Sequence, residues 1–201
     1  MNVKIFALII PLCTGLLSCS KNDDYNLSSS IFIEDTDFPG LPKYSEWGYN
    51  TFGAYIDRSP FVSTTNEDIP SKVVVRNDTL QLILKGSYKG EFAEMIFMLG
   101  GYNPRSHSQL TALNGDTIDL KHSPSKVQFR TKTAFYNFDI IEGELIFKKV
   151  QRLYVDEVET KCIVSGYFQL KTFMNDEPVA ISQGRFDLGI GYDNFFNLSL
   201  N

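Results

Sequence analysis

Val73-Val74-Val75-Arg76-Asn77-Asp78-Thr79-Leu80-Gln81-Leu82-Ile83-Leu84 decides the fold. Three β-branched residues run into an Asn-Asp pair, and beyond it Leu80, Leu82 and Leu84 recur at every second position. β-Branched side chains lose rotamer freedom in a helix and pack well on a pleated surface. Asn and Asp tolerate the left-handed backbone that a two-residue hairpin turn demands. The stretch therefore predicts an antiparallel hairpin.

Working outward, Phe52, Ala54 and Ile56 alternate with Thr51, Gly53 and Tyr55 upstream. Downstream, residues 86–90 predict a second turn. Residues 92–99 are apolar on both faces except at Glu94, which predicts a central strand covered on each side. Residues 100–114 read as a long polar loop. Further strands are expected over 117–120, 126–129, 134–141, 145–150, 161–173, 179–182 and 185–190.

The one helical rival is 142–158, where Ile146, Val150 and Leu153 fall near helical spacing. Its Ala-poor composition and β-rich flanks favour strands, with a short helix or turn over 152–157. Many short strands separated by Gly, Asn and Asp turns predict an all-β single domain, an antiparallel β-sandwich or an open barrel.

The N-terminus carries a different message. Lys4 precedes an apolar run over residues 5–17 that is too short to span a bilayer, which needs about 20 residues. The run ends in Leu16-Leu17-Ser18-Cys19, which resembles a bacterial lipobox. Residues 1–18 are expected to be a lipoprotein signal peptide, and Cys19 the lipidation site. Residues 19–46 then form tether and lead-in, and 47–201 the β-rich domain. Two or three acyl chains hold a protein to a membrane almost permanently. The acidic Ser20-Lys21-Asn22-Asp23-Asp24 resembles a surface-export signal of Bacteroidetes lipoproteins, so the expected location is the outer membrane, at the cell surface.

Composition excludes some chemistry. The net charge of -5 makes the chain a poor nucleic-acid partner, since phosphate contacts need clustered Lys and Arg. Cys13 leaves with the leader and Cys19 is acylated, so Cys162 stands alone in a mature chain. It shares an alternating face with Val164, Phe168 and Leu170 and reads as a buried, inert thiol.

No nucleophile elbow, zinc helix, phosphate loop or dinucleotide fingerprint is present, so neither catalysis nor a cofactor is expected. His107, Asp116, Asp119 and His122 lie on irregular segments and read as solvated loop residues, not metal ligands. Glu142 and Glu144 share a strand face and point the same way, so they cannot flank a scissile bond unaided. The aromatics Tyr44, Trp47, Tyr49 and Tyr55 are the candidate ligand-binding residues, because flat rings on an exposed sheet stack on sugars or peptides. A non-catalytic binding or envelope-accessory module is the expected function, with a glycan, a peptide or an envelope protein as partner; the alternative is a hydrolase resting on Asp116, Asp119, His122, Glu142 and Glu144.

Asn50-Thr51-Phe52-Gly53-Ala54-Tyr55-Ile56-Asp57 with Pro60-Phe61-Val62, and Ile181-Ser182-Gln183-Gly184-Arg185-Phe186-Asp187-Leu188, resemble the opening NTFG and closing GRFD strands of an uncharacterised family of Bacteroidetes lipoproteins. Val164-Ser165-Gly166-Tyr167-Phe168 is similar to its SGTF strand. The resemblance runs from Trp47 to Ile190 in order and spacing. It implies a β-rich fold and a lipid anchor, and brings no catalytic residue with it. Ala54 stands where members often carry cysteine, so a disulfide there is not expected. In the closing motif, Phe186, Leu188 and Ile190 fall on one strand face. Arg185 and Asp187 share the other, where they are expected to pair as exposed charges, with Gly184 marking a bulge.

Overall fold

The computed structural model describes residues 30–64 and 71–199. Residues 1–18, expected to be a leader, Cys19 and the acidic stretch after it lie outside the described residues. Twelve strands follow in chain order: β1 (Thr51–Ile56), β2 (Ser59–Val62), β3 (Ser71–Arg76), β4 (Thr79–Tyr88), β5 (Glu91–Gly100), β6 (Thr117–Asp119), β7 (Ser125–Thr131), β8 (Phe135–Asn137), β9 (Asp139–Val155), β10 (Val158–Met174), β11 (Glu177–Gly191) and β12 (Phe195–Asn197). A 3-10 helix, His107–Leu113, lies between β5 and β6. No helix among the described residues is long and apolar enough to cross a membrane.

The strands form one open sheet in the order β6-β9-β10-β11-β1-β2-β4-β5-β7-β8. β3 lies on β4 along the same edge as β2, and β12 pairs with β3 in the only parallel ladder among the described residues. β5 and β10 are far apart in this order, yet the Phe97 and Phe168 rings meet edge-on at 5.1 Å. The sheet therefore curls until its two halves share one core. Phe52, Phe61, Phe129, Phe147 and Phe186 complete the aromatic interior. This is the expected all-β, antiparallel single domain.

The predicted hairpin is present: Ser71–Arg76 pairs with Leu84–Thr79 through Asn77 and Asp78, whose φ values are 47° and 61°. Left-handed pairs also close β4–β5 at Lys89-Gly90, β9–β10 at Asp156-Glu157 and β10–β11 at Asn175-Asp176. This backbone twist matches the twist of the flanking strands.

Four expectations change. β5 is covered on one face only: Ala93, Met95, Phe97 and Leu99 are buried, whereas Phe92 is exposed and Ile96 and Met98 are half-buried. Glu94 is buried on that outer face through Arg130 and Lys85. The loop at 100–114 contains the 3-10 helix, which buries Leu110 and Leu113 in the core. The strand expected over 134–141 is divided at Phe138 between β8 and the start of β9. The strands expected at 179–182 and 185–190 are one strand, β11.

Candidate functional site

The outer face of β10 and β11 is half roofed by residues 30–50, the described part of the lead-in together with the first residues of the expected domain. Asp187 organises the roof. Its side chain, 1% exposed with its residue, accepts from the backbone N–H groups of Trp47, Gly48 and Tyr49 at 3.2, 2.8 and 3.1 Å. It also accepts from the hydroxyls of Ser45 and, at 2.8 Å, Ser165. Arg185 is buried beside it, ion-paired to Asp35 at 2.6 Å under the Phe38 ring. The expected exposed Arg185–Asp187 pair is thus corrected. Both charges are buried, and each binds the lead-in separately, because a sheet face next to an ordered segment leaves water no access to them.

The four candidate aromatics have different partners and exposures. The Tyr55 hydroxyl donates to the Pro39 carbonyl at 2.7 Å. Tyr44 stacks on Tyr167, with ring centroids 4.3 Å apart, and donates to Glu46 at 3.1 Å. Desolvation, followed by the Glu46 carboxylate, pushes the Tyr44 phenol well above its ordinary range. Tyr49 is half-buried, and Trp47 stands 71% exposed. The ring that sequence spacing did not single out, Tyr167, is where the lead-in's cover ends. Along β10 the outward residues Ile163 and Ser165 are buried, whereas Tyr167, Gln169 and Lys171 are exposed.

A groove of about 560 Å³ opens just there, lined by Thr117, Asp119, Glu142, Glu144, Gln169 and Lys171, with Ala180 and Ser182 along β11. A second depression, holding Ile146, Tyr167, Gln183 and Gly184, adjoins it and shares Glu144 and Gln169. The cause is a β-bulge. Between the pairs Phe168–Gly184 and Leu170–Ile181, β11 spends one residue more than β10. The extra residue bends the strand, and Gln183 sits in the left-handed region at φ 54°. Gly184 is required beside it, since an added Cβ would overlap the carbonyl oxygen of Phe168. A non-glycine residue held at positive φ stores about 1 kcal/mol or more, and such strain concentrates at functional surfaces.

Register explains which carboxylates meet. Asp119 lies opposite Glu144 on β9, and Glu144 opposite Gln169 on β10. The Gln169 amide donates to Glu144 Oε1 at 2.8 Å, and Lys171 pairs with Glu142 at 2.7 Å. Hydrogen bonding from the Lys171 ammonium holds the Glu142 carboxyl below its usual range. Asp119 caps the turn after β6, accepting from the N–H groups of Lys121 and His122 and from the His122 ring at 2.8 Å. Those bonds, the ring's first, lower its carboxyl too.

Asp119, Glu142 and Glu144 therefore share one groove. Asp116 instead faces Tyr102, whose phenol is raised by desolvation and then by that charge. His107 is buried against Tyr192, remote from His122 in its contacts. No group of three or more His, Cys, Asp or Glu side chains gathers as a metal would require among the described residues. Cys162 is buried in the core, and desolvation pushes its thiol up to about 12. It sits among the alternating apolar residues, as the sequence predicts.

Comparison of the chain with protein-family models, curated proteins and solved structures yields no match.

Proposed function

We propose that this chain is a lipid-anchored outer-membrane lipoprotein of the kind its NTFG and GRFD strands resemble, and that its β-domain is a non-catalytic binding module displayed at the cell surface. The groove around Glu144 and Gln169 carries this reading. It is a preformed concavity of ligand-site size on the outer face of the sheet, bordered by a half-exposed ring and made by a bulge that holds Gln183 in the left-handed region. Two of its three carboxylates suit binding better than proton transfer. Asp119 and Glu142 are both held below the ordinary range, whereas a general acid at neutral pH must be held above it. The anchor rests on Leu16-Leu17-Ser18-Cys19 and the short apolar run before it.

Mass analysis of the N-terminal peptide from protein isolated with its native membranes tests the anchor. The expected result is a chain that begins at acylated Cys19, and labelling of that chain on intact cells. A retained leader, or an unmodified Cys19, would overturn the assignment of place.

A further inference from the structure

We propose that the β9–β10–β11 groove is a subsite for a neutral oligosaccharide, with Tyr167 as the stacking platform and Glu144 and Gln169 as the hydroxyl-binding pair. The proposal rests on the binding-module reading and names its ligand class. The bond between these side chains uses Glu144 Oε1 and Gln169 Nε2, and leaves Glu144 Oε2 and Gln169 Oε1 out of it. The pair therefore offers two acceptors side by side to the groove, and Asp119 stands opposite Glu144 in the next strand. Side chains that accept select a ligand rich in donors.

Charge narrows the class. Three carboxylates, Asp119, Glu142 and Glu144, outnumber the ammonium groups beside them: Lys171, which Glu142 already engages, and Lys121, which also acts on Glu142. A uronate or sulfated sugar would bring its charge against Glu144 and Asp119, and like charges brought together on binding are strongly penalised. The apolar requirement is met at one end only. Tyr167 is held from behind by Tyr44 and leaves about a third of its surface open, so a flat C–H face can lie on the ring while its hydroxyls reach the acceptor pair. Tyr167 to Lys171 spans four residues of strand, roughly 13 Å, which fits a di- or trisaccharide. An extended basic peptide also supplies donors and can lay an ammonium or guanidinium on the ring, so it is the competing occupant, which titration with tetralysine distinguishes.

Isothermal titration of the membrane-extracted, full-length lipoprotein in detergent micelles tests this directly. The probes are cellotriose, xylotriose, mannotriose, tri-galacturonate and tetralysine. The expected result is binding of at least one neutral trisaccharide and none of tri-galacturonate. That binding should weaken about tenfold in Glu144→Gln and again in Gln169→Ala, both of which keep the parent melting temperature. If tetralysine or tri-galacturonate binds in an E144Q-sensitive way and the neutral sugars do not, the ligand class is overturned while the module reading stands. If none of the five binds, both fall. Trisaccharide binding that neither substitution changes would place the site elsewhere and overturn the proposal.

Discussion

Replacing Asp187 with Asn should release the lead-in from the sheet. The carboxylate takes five donors: Ser45, Trp47 N–H and Tyr49 N–H on Oδ2, and Gly48 N–H and Ser165 on Oδ1. An amide keeps one acceptor oxygen and turns an NH₂ group toward the other set, so two or three donors lose their partner in a buried site. Each hydrogen bond to a charged group contributes about 1.5–3 kcal/mol. The full sum is not reached, because residues 44–50 can lift away and bond to water. A net loss of about 3 kcal/mol is expected. For a domain of this size that lowers Tm by roughly 6–12 °C.

Thermal and urea unfolding measure the global loss. Trp47 reports the local event, since it is the single tryptophan of the chain and its own N–H is one of the five donors. Its emission should change in D187N before global unfolding begins. Ser165→Ala serves as a control, removing one donor and leaving the acceptor, at about 1 kcal/mol. An Asp187→Asn protein that melts within about 1 °C of the parent, with unaltered Trp47 emission, would refute the idea that this carboxylate clamps the lead-in.

Three further outcomes are expected. Gly166→Ala should cost about 3 kcal/mol or more in urea unfolding, because the new Cβ would overlap the Ile146 carbonyl oxygen and press on Phe186 at 2.7 Å; a loss below about 1 kcal/mol would show that β9 and β10 can part to admit it. Cys162 should resist thiol reagents at pH 8 and react only on unfolding, since burial raises its pKa to about 12; labelling as fast as in denatured protein would contradict that placement. Asp35 is held below its ordinary value by the Asp37 backbone N–H and then by Arg185, so its contribution is present above the unfolded carboxylate pKa, near 4, and lost as pH falls through the folded value. Asp35→Asn should therefore flatten the acid limb of a stability-versus-pH curve, and an unchanged limb would show that the Asp35–Arg185 contact does not persist in solution.

The parts of the fold that local chemistry writes into the chain were legible. Asn77-Asp78 reads as a left-handed turn, and the alternation in β10 reads as one buried face. Long-range events were harder to see. β9 buries Leu145 and Phe147 and then Val150, because an extra residue between Ile146 and Lys149 shifts its parity; of the residues at helical spacing, Val150 faces the core whereas Ile146 lies with Tyr167 on the outer face. β11 carries the same signature: Ile181 and Phe186 both point inward, which two-residue alternation permits only with a bulge between them. Gly184 hinted at it.

The site was less legible. Tyr44, Trp47, Tyr49 and Tyr55 lie close in sequence, but Tyr55 turns to Pro39 and Tyr44 to Tyr167. The groove draws on β6, β9, β10 and β11, whose side chains meet through register alone. Glu142 and Glu144 could be placed together from their spacing, whereas Gln169 and Lys171 could not be joined to them without the β9–β10 pairing. The burial of Arg185 and Asp187 was equally hidden, because it depends on where the lead-in lies.

Amide hydrogen exchange of the membrane-anchored protein, with and without a saturating neutral trisaccharide, tests the groove most directly. Slowed exchange confined to residues 142–144, 167–171 and 180–184 is the result expected of a binding face built at the Gln183 bulge. Protection elsewhere on the sheet, or none anywhere, would contradict it.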